Sequence, residues 1–203
     1  MTHPLHTTVE DFVAGLLQLK QDYITLDRVT DYVKSVPVSR DALAAYTWWS
    51  DQRYTRNLIY RDDLFEVMTI CWQPGQRTVA HTHNGQLGWM TVPQGCVAVE
   101  NFRHVGCNAP ERQNVVGLDC LGGATQITME RLERTEFAGS EVVGTVDKTQ
   151  TIHRILNDEK DDSAITLHIY SKPFDSCVAF DLENQRCFRR ALSYYSKFGQ
   201  KLA

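Results

Sequence analysis

The stretch Gly75-Gln76-Arg77-Thr78-Val79-Ala80-His81-Thr82-His83-Asn84-Gly85-Gln86-Leu87-Gly88, continued to Gly95, decides the fold. Side chains alternate with a period of two along a β-strand, so a strand over 78–83 puts His81 and His83 on one face, where both imidazoles reach one ion. Gly75, Gly88 and Gly95 mark turns at the ends of the strand pair that carries the histidines. An isolated His-x-His carries little weight, and His3, His6 and His104 stand in no such frame. A third ligand is needed, and His153, in a candidate strand over Thr151 to Leu156 and four residues before Asn157, would bring a neutral imidazole from across a barrel. Three histidines then form a facial set with open positions.

Working outward from this stretch, alternation of apolar and polar residues begins at Leu58, and Gly or Pro punctuation recurs along it, the pattern of a many-stranded antiparallel sandwich or barrel. The spacing predicts strands over Phe65–Trp72, Thr78–His83, Gly88–Val92, Val97–Phe102, Ala124–Glu130, Gly144–Thr145, Thr151–Leu156 and Ala164–Tyr170. An eight-strand barrel core fits them. Residues 103–123, with four Gly, two Cys and a Pro, lack periodicity and read as a long surface loop. Before the strands, Thr7 and Glu10 form a capping-box start ahead of Phe12, Val13, Leu16 and Leu17, and Thr30–Val36 and Ser39–Tyr46 are two further short helices. The 203 residues therefore make a single domain, helical over 1–50 and a β-barrel over 51–203.

A net charge of -4, from 21 basic and 25 acidic side chains, argues against a cationic surface for nucleic acid. No apolar run reaches the ~18 residues of a membrane span and residues 1–20 lack a basic start with an apolar run, so a cytoplasmic location and no membrane partner are expected. The six cysteines contain no CxxC pair and are expected as free thiols.

Glycine, His-x-His and glycine at these intervals, followed by one more His ahead of an Asn, resemble the two motifs of the cupin superfamily. Many cupins carry a glutamate ligand where this chain has Gly88, and its absence implies a three-histidine site. Within cupins that set resembles the thiol dioxygenases, and several ordered segments narrow it: Tyr54-Thr55-Arg56-Asn57-Leu58, Ile70-Cys71-Trp72, His81 with His83, Ile152-His153-Arg154, Leu167-His168-Ile169-Tyr170-Ser171, Pro173-Phe174-Asp175 and Ser196-Lys197-Phe198-Gly199. Together they span residues 54–199, and the chain is identified as a member of the cysteine dioxygenase family, with a cupin-type antiparallel jelly-roll barrel as the implied fold.

The other residues agree with that resemblance. Thr166, His168 and Tyr170 alternate with Leu167 and Ile169, so a hydroxyl, an imidazole and a phenol share one face of one strand. Such a row is ordinarily a set of hydrogen-bonded core polars; beside a metal site, the resemblance makes Tyr170 the active-site tyrosine, with His168 and Thr166 orienting it. Arg56 presents two parallel donors that match a carboxylate, and with Tyr54 it is the expected substrate-binding pair. Trp72, Trp89 and Phe174 read as core or pocket wall, and Cys177 as the family's pocket-edge cysteine without a catalytic role. Animal members join the tyrosine to a cysteine at the position of Gly88, a crosslink this chain cannot form, and they carry methionine where Leu192 stands; the chain resembles the bacterial branch.

The resemblance implies a non-haem iron(II) enzyme in which His81, His83 and His153 hold Fe(2+), and which oxidises L-cysteine with O2 to cysteine sulfinic acid, its partners being a small thiol and O2. The alternatives are the same chemistry on 3-mercaptopropionate, cysteamine or an ergothioneine-like thione, and a non-catalytic metal-binding cupin sensor. The face formed by Thr166, His168 and Tyr170 weighs against the sensor, and the missing glutamate against a zinc or manganese isomerase. Oligomeric state is not readable.

Overall fold

The computed structural model describes residues 7–19, 24–108, 126–147 and 152–202. Two α-helices open it, α1 (Val9–Leu16) and α2 (Leu26–Ser35), followed by a 3-10 turn over Asp41–Tyr46. Eleven strands follow: β1 (Thr55–Arg61), β2 (Glu66–Trp72), β3 (Ala80–His81), β4 (Leu87–Cys107), β5 (Ile127–Val146), β6 (Ile152–Leu156), β7 (Ala164–Ser171), β8 (Ser176–Asp181), β9 (Arg186–Ala191), β10 (Ser196–Lys197) and β11 (Gln200–Lys201). The cap of α1 is Thr8 rather than Thr7, its hydroxyl accepting from the Asp11 amide, and α2 starts four residues ahead of the expected Thr30 because Thr25 caps it.

The strands form one sheet in the order β11-β10-β1-β2-β7-β4-β6-β3-β8-β9, with β5 paired along β4. The sheet closes because β4 serves both halves: its start pairs with β7 through Leu87–Gln94, and its continuation with β6 through Ala98–Phe102. The sequence pattern showed two strands here and the structure has one, bent where the register shifts between Val92 and Cys96. Gly95 makes the bend, at φ +72, and an added Cβ would lie 2.7 Å from the Ser163 carbonyl oxygen. Likewise, of the expected segments Ala124–Glu130 and Gly144–Thr145, residues 127–130 and 144–145 fall at the two ends of β5, while 124 and 125 lie outside the described residues; the exposed, charged middle of β5 hides the period. Residues 103–107 of the expected loop belong to β4, and 109–125 lie outside the described residues.

Every residue of β2 and β7 is buried, because each face of this half has a cover. Val67, Cys71, Trp89, Leu167 and Ile169 pack on one face against Phe12, Leu16, Val29 and Val33 of the helices. Met68, Ile70, Trp72, Met90 and Tyr170 point the other way, into the barrel. The Trp89 indole donates to the Leu26 carbonyl (3.1 Å) and Thr30 Oγ1 (3.1 Å), fixing α2 over the strands. The eight expected segments fall on six strands, β2 to β7, and β1, β8, β9, β10 and β11 come in addition; β9 buries only Cys187, so its alternation carries no hydrophobic signal. Among the described residues Cys71, Cys96 and Cys177 are free thiols. Cys187 is disulfide-bonded, against the expectation of six thiols, since the absence of a CxxC pair does not exclude a bridge.

Candidate metal centre and active site

His81 lies on β3 directly opposite His153 on β6, and antiparallel partners project from the same face, which here is the barrel interior. His83 follows the short strand; the intervening Thr82 amide donates to Val178 (3.0 Å), holding the extended path that returns His83 to the side of His81. The ring centroids are 5.4 Å apart for His81–His83, 5.0 Å for His81–His153 and 4.8 Å for His83–His153. One nitrogen from each ring lies within 4.8 Å of the other two. Asn157 stays out of this site; it is fully buried, and its side-chain amide donates to the Trp72 (3.3 Å) and Asp162 (2.8 Å) carbonyls, tying two turns together.

The electrostatics of the trio suit a cation. Burial lowers the pKa of His81 to about 4 and, with the neighbouring imidazoles, holds His83 and His153 well below the ordinary histidine value, so all three are neutral ligands at pH 7. His81 Nδ1 lies 2.9 Å from the Val79 carbonyl, which fixes its proton there and frees Nε2. Both nitrogens of His83 and Nε2 of His153 are buried without a hydrogen-bond partner. Orphaned buried nitrogens are costly in a closed core, and a metal ion would satisfy them.

Beside the trio runs the expected polar row of β7. The Trp72 indole donates to Thr166 Oγ1 (2.9 Å), Thr166 Oγ1 lies 2.8 Å from His168 Nε2, and His168 Nδ1 lies 3.1 Å from the Tyr170 hydroxyl. Burial, then the charge of Arg56, lowers the pKa of His168 to about 3 and burial raises that of Tyr170, so both are neutral. Tyr170 and Phe174 pack edge to face at 5.2 Å, and Phe174 also faces His83 at 5.7 Å, making it pocket wall. Tyr54 stacks on Trp72 at 4.9 Å.

Residues 3–183 match the family model of cysteine dioxygenase type I. The chain belongs to the cysteine dioxygenase type I family. It is 25% identical over 196 residues to cysteine dioxygenase type 1 of Danio rerio, covering 96% of this chain and 89% of the relative. To the Homo sapiens enzyme of that name it is 25% identical over 195 residues, covering 95% and 88%. Among solved structures, an uncharacterized conserved protein with a double-stranded beta-helix domain from Klebsiella pneumoniae is 14% identical and covers 73% of this chain and 92% of its own, with a TM-score of 0.39.

This member of the cysteine dioxygenase family holds Arg56 differently from the free clamp expected from the sequence. Arg56 Nη2 pairs with Glu66 Oε1 at 3.3 Å, and the Glu66 side chain is 0% exposed. Tyr194 donates to the same oxygen (2.6 Å) and accepts from Arg61 (2.7 Å), which also binds Asp175 (2.7 Å). Sequence reading missed Glu66, whose signal was an acid in register with Met68, Ile70 and Trp72 on an otherwise apolar inward face. It also missed Arg190. Cys177 of β8 opposes Arg190 of β9, so their side chains share a face, and both line a chamber of about 40 Å³ with Arg56, His81, Tyr170 and Leu192. Gly88 lies against His83 and Tyr170: an added Cβ would lie 3.3 Å from His83 Nδ1 and 3.3 Å from the Tyr170 ring. No helix among the described residues is long and apolar enough to cross a membrane.

Proposed function

We propose that the protein is a non-haem iron(II) thiol dioxygenase whose metal is held by His81, His83 and His153 and whose substrate is L-cysteine. The observation that carries this reading is the meeting of three neutral histidines with orphaned nitrogens and the hydrogen-bonded row ending at Tyr170, beside a chamber that His81 and Tyr170 share with two guanidinium groups. Bound iron(II) would supply a centre that brings a thiolate and dioxygen together, so that both oxygen atoms end on sulfur as a sulfinic acid.

The protein's own groups do the rest. Arg56 and Arg190 face the chamber and hold a substrate carboxylate, which fixes where the sulfur sits. Because Thr166 Oγ1 accepts from Trp72 and its contact with His168 Nε2 is shorter than that with the Ile70 carbonyl (2.8 against 3.4 Å), its one proton is assigned to Nε2. His168 Nδ1–H then donates to the Tyr170 oxygen, and the phenolic proton is left to donate into the chamber. A phenol whose pKa is raised by burial keeps that proton, so Tyr170 orients the reacting group as a hydrogen-bond donor. A non-catalytic sensor has no use for such a relay. Cytoplasmic location is part of the same proposal.

Oxygen uptake by the iron-loaded protein, with chromatography of the product, tests this. L-cysteine should consume one O2 per cysteine sulfinic acid formed, and cysteamine, which lacks the carboxylate, should be a poor substrate. No oxygen consumption with cysteine, 3-mercaptopropionate or cysteamine would overturn the reading.

A further inference from the structure

The histidine site opens on a second, larger space. A cavity of about 430 Å³ is lined by His83, His153 and Tyr170 on one side and by β4 and β5 on the other. Two glycines, Gly88 and Gly144, stand on its wall. At Gly88 an added Cβ would press on His83 and Tyr170, and at Gly144 one would lie 3.1 Å from the Phe137 ring. These strands put Gly88 opposite Val146 and Gly144 opposite Met90, so both gaps fall on the inward face. The volume lies within the range of pockets for ligands well above the size of cysteine, ~300–1,000 Å³.

The two spaces differ in charge. The 40 Å³ chamber carries Arg56 and Arg190 and no acid among its described lining residues. The larger cavity carries Glu133 and Asp147 and no Lys or Arg among its described lining residues. The reacting centre lies between a cationic pocket and an anionic one.

We propose that the larger cavity receives the body of a thiol bigger than cysteine, one that carries its carboxylate close to the sulfur and an amine at its far end. The assignment rests on the thiol reading of the histidine centre for the position of the sulfur. The carboxylate lies on the side of Arg56 and Arg190, the chain passes Gly88, and the amine meets Glu133 and Asp147. The oxidation is unchanged: RSH and O2 give RSO2H, with both oxygen atoms on sulfur and no further reductant.

The dipeptides Lys-Cys and Glu-Cys test it, since each keeps the cysteine carboxylate beside the thiol and they differ in the charge sent into the cavity. With iron-loaded protein, Lys-Cys should match or exceed cysteine in kcat/KM and exceed Glu-Cys by at least about tenfold, the size of one charge contact. Thr135 is exposed at the rim opposite Val99. Thr135→Trp should cut Lys-Cys turnover about tenfold while leaving cysteine within about twofold, and Glu133→Gln should narrow the gap between the dipeptides. Cysteine oxidation with no preference for Lys-Cys, or a Thr135→Trp effect equal for both thiols, overturns the cavity assignment and leaves the dioxygenase reading standing. Anaerobic calorimetry of Lys-Cys on the iron(II)-loaded protein separates the converse case. Binding lost in Thr135→Trp with no oxygen consumed by any thiol supports the cavity and removes the dioxygenase reading, whereas binding indifferent to Thr135 overturns the cavity.

Discussion

Arg56 reaches its chamber already paired, and that pairing makes its removal a double injury. Glu66 is fully buried, one of its oxygens has no partner, and Arg56 is the cation on the other. Arg56→Ala should lower stability by about 3–5 kcal/mol, the cost of stranding a buried charge, and raise the cysteine KM at least about tenfold. Adding Glu66→Gln should restore most of the lost melting temperature and none of the KM. Thermal melts and steady-state kinetics on the two variants check both halves, and a KM that recovers with the melting temperature would deny Arg56 a substrate role. Arg190 has no such partner among the described residues, so Arg190→Ala should raise KM for carboxylate thiols by about tenfold with the melting temperature unmoved. At Thr166, Thr166→Val removes the hydroxyl assigned to donate to His168 Nε2 and accept from Trp72. The expected result is a kcat lower by about ten- to a hundredfold at unchanged iron content and KM. Unchanged kcat would show that the row does not position Tyr170.

Among the elements, β4 decides most. It carries Gly88 against His83, pairs with β7 on one side of its bend and with β6 on the other, and so sets the distance between the Tyr170 row and His153. The bend depends on Gly95, where a left-handed backbone and the nearby Ser163 carbonyl both exclude a side chain. Gly95→Ala should destabilise the protein by about 2 kcal/mol or more, read in a denaturant titration, and reduce iron binding along with activity. Full stability in Gly95→Ala would mean that the bend tolerates a β-carbon. Sequence reading located β2, β6 and β7 to within a residue or so because each is a short, largely apolar run rich in β-branched side chains. It divided β4 at its bulge and lost the middle of β5, where exposed Glu and Arg side chains replace the apolar members of the pattern.

Across the whole molecule, four imidazoles are held neutral at the centre of the barrel: His83, His153 and His168, which are buried, and His81, which is half-buried. Their folded pKa values lie below the unfolded value of 6.5, so the unfolded chain takes up protons first as the pH falls. The stability of the metal-free protein should therefore be intact above pH 6.5 and decline from there toward pH 4, by up to about 1.4 kcal/mol per pH unit for each imidazole. A melting temperature flat between pH 7 and 4.5 would contradict the buried neutral histidines. Iron(II) should raise the melting temperature at pH 7, and His81→Ala, His83→Ala and His153→Ala should each abolish that rise and the bound iron in metal analysis. Full iron occupancy in all three variants would remove the trio as the metal site.

By itself the sequence determined which side chains meet, because strand alternation and glycine frames are local: two histidines two apart share a face, as do Thr166, His168 and Tyr170 two apart on β7. Residue type then limited what those faces do. Only the tertiary structure decided what surrounds them, since those contacts join segments far apart in the chain. It took the closure of the barrel to bring Glu66 onto Arg56 and Arg190 opposite Cys177. The pairing of β4 with β5 placed Gly88 and Gly144 on the wall of a cavity of about 430 Å³ beside the histidines.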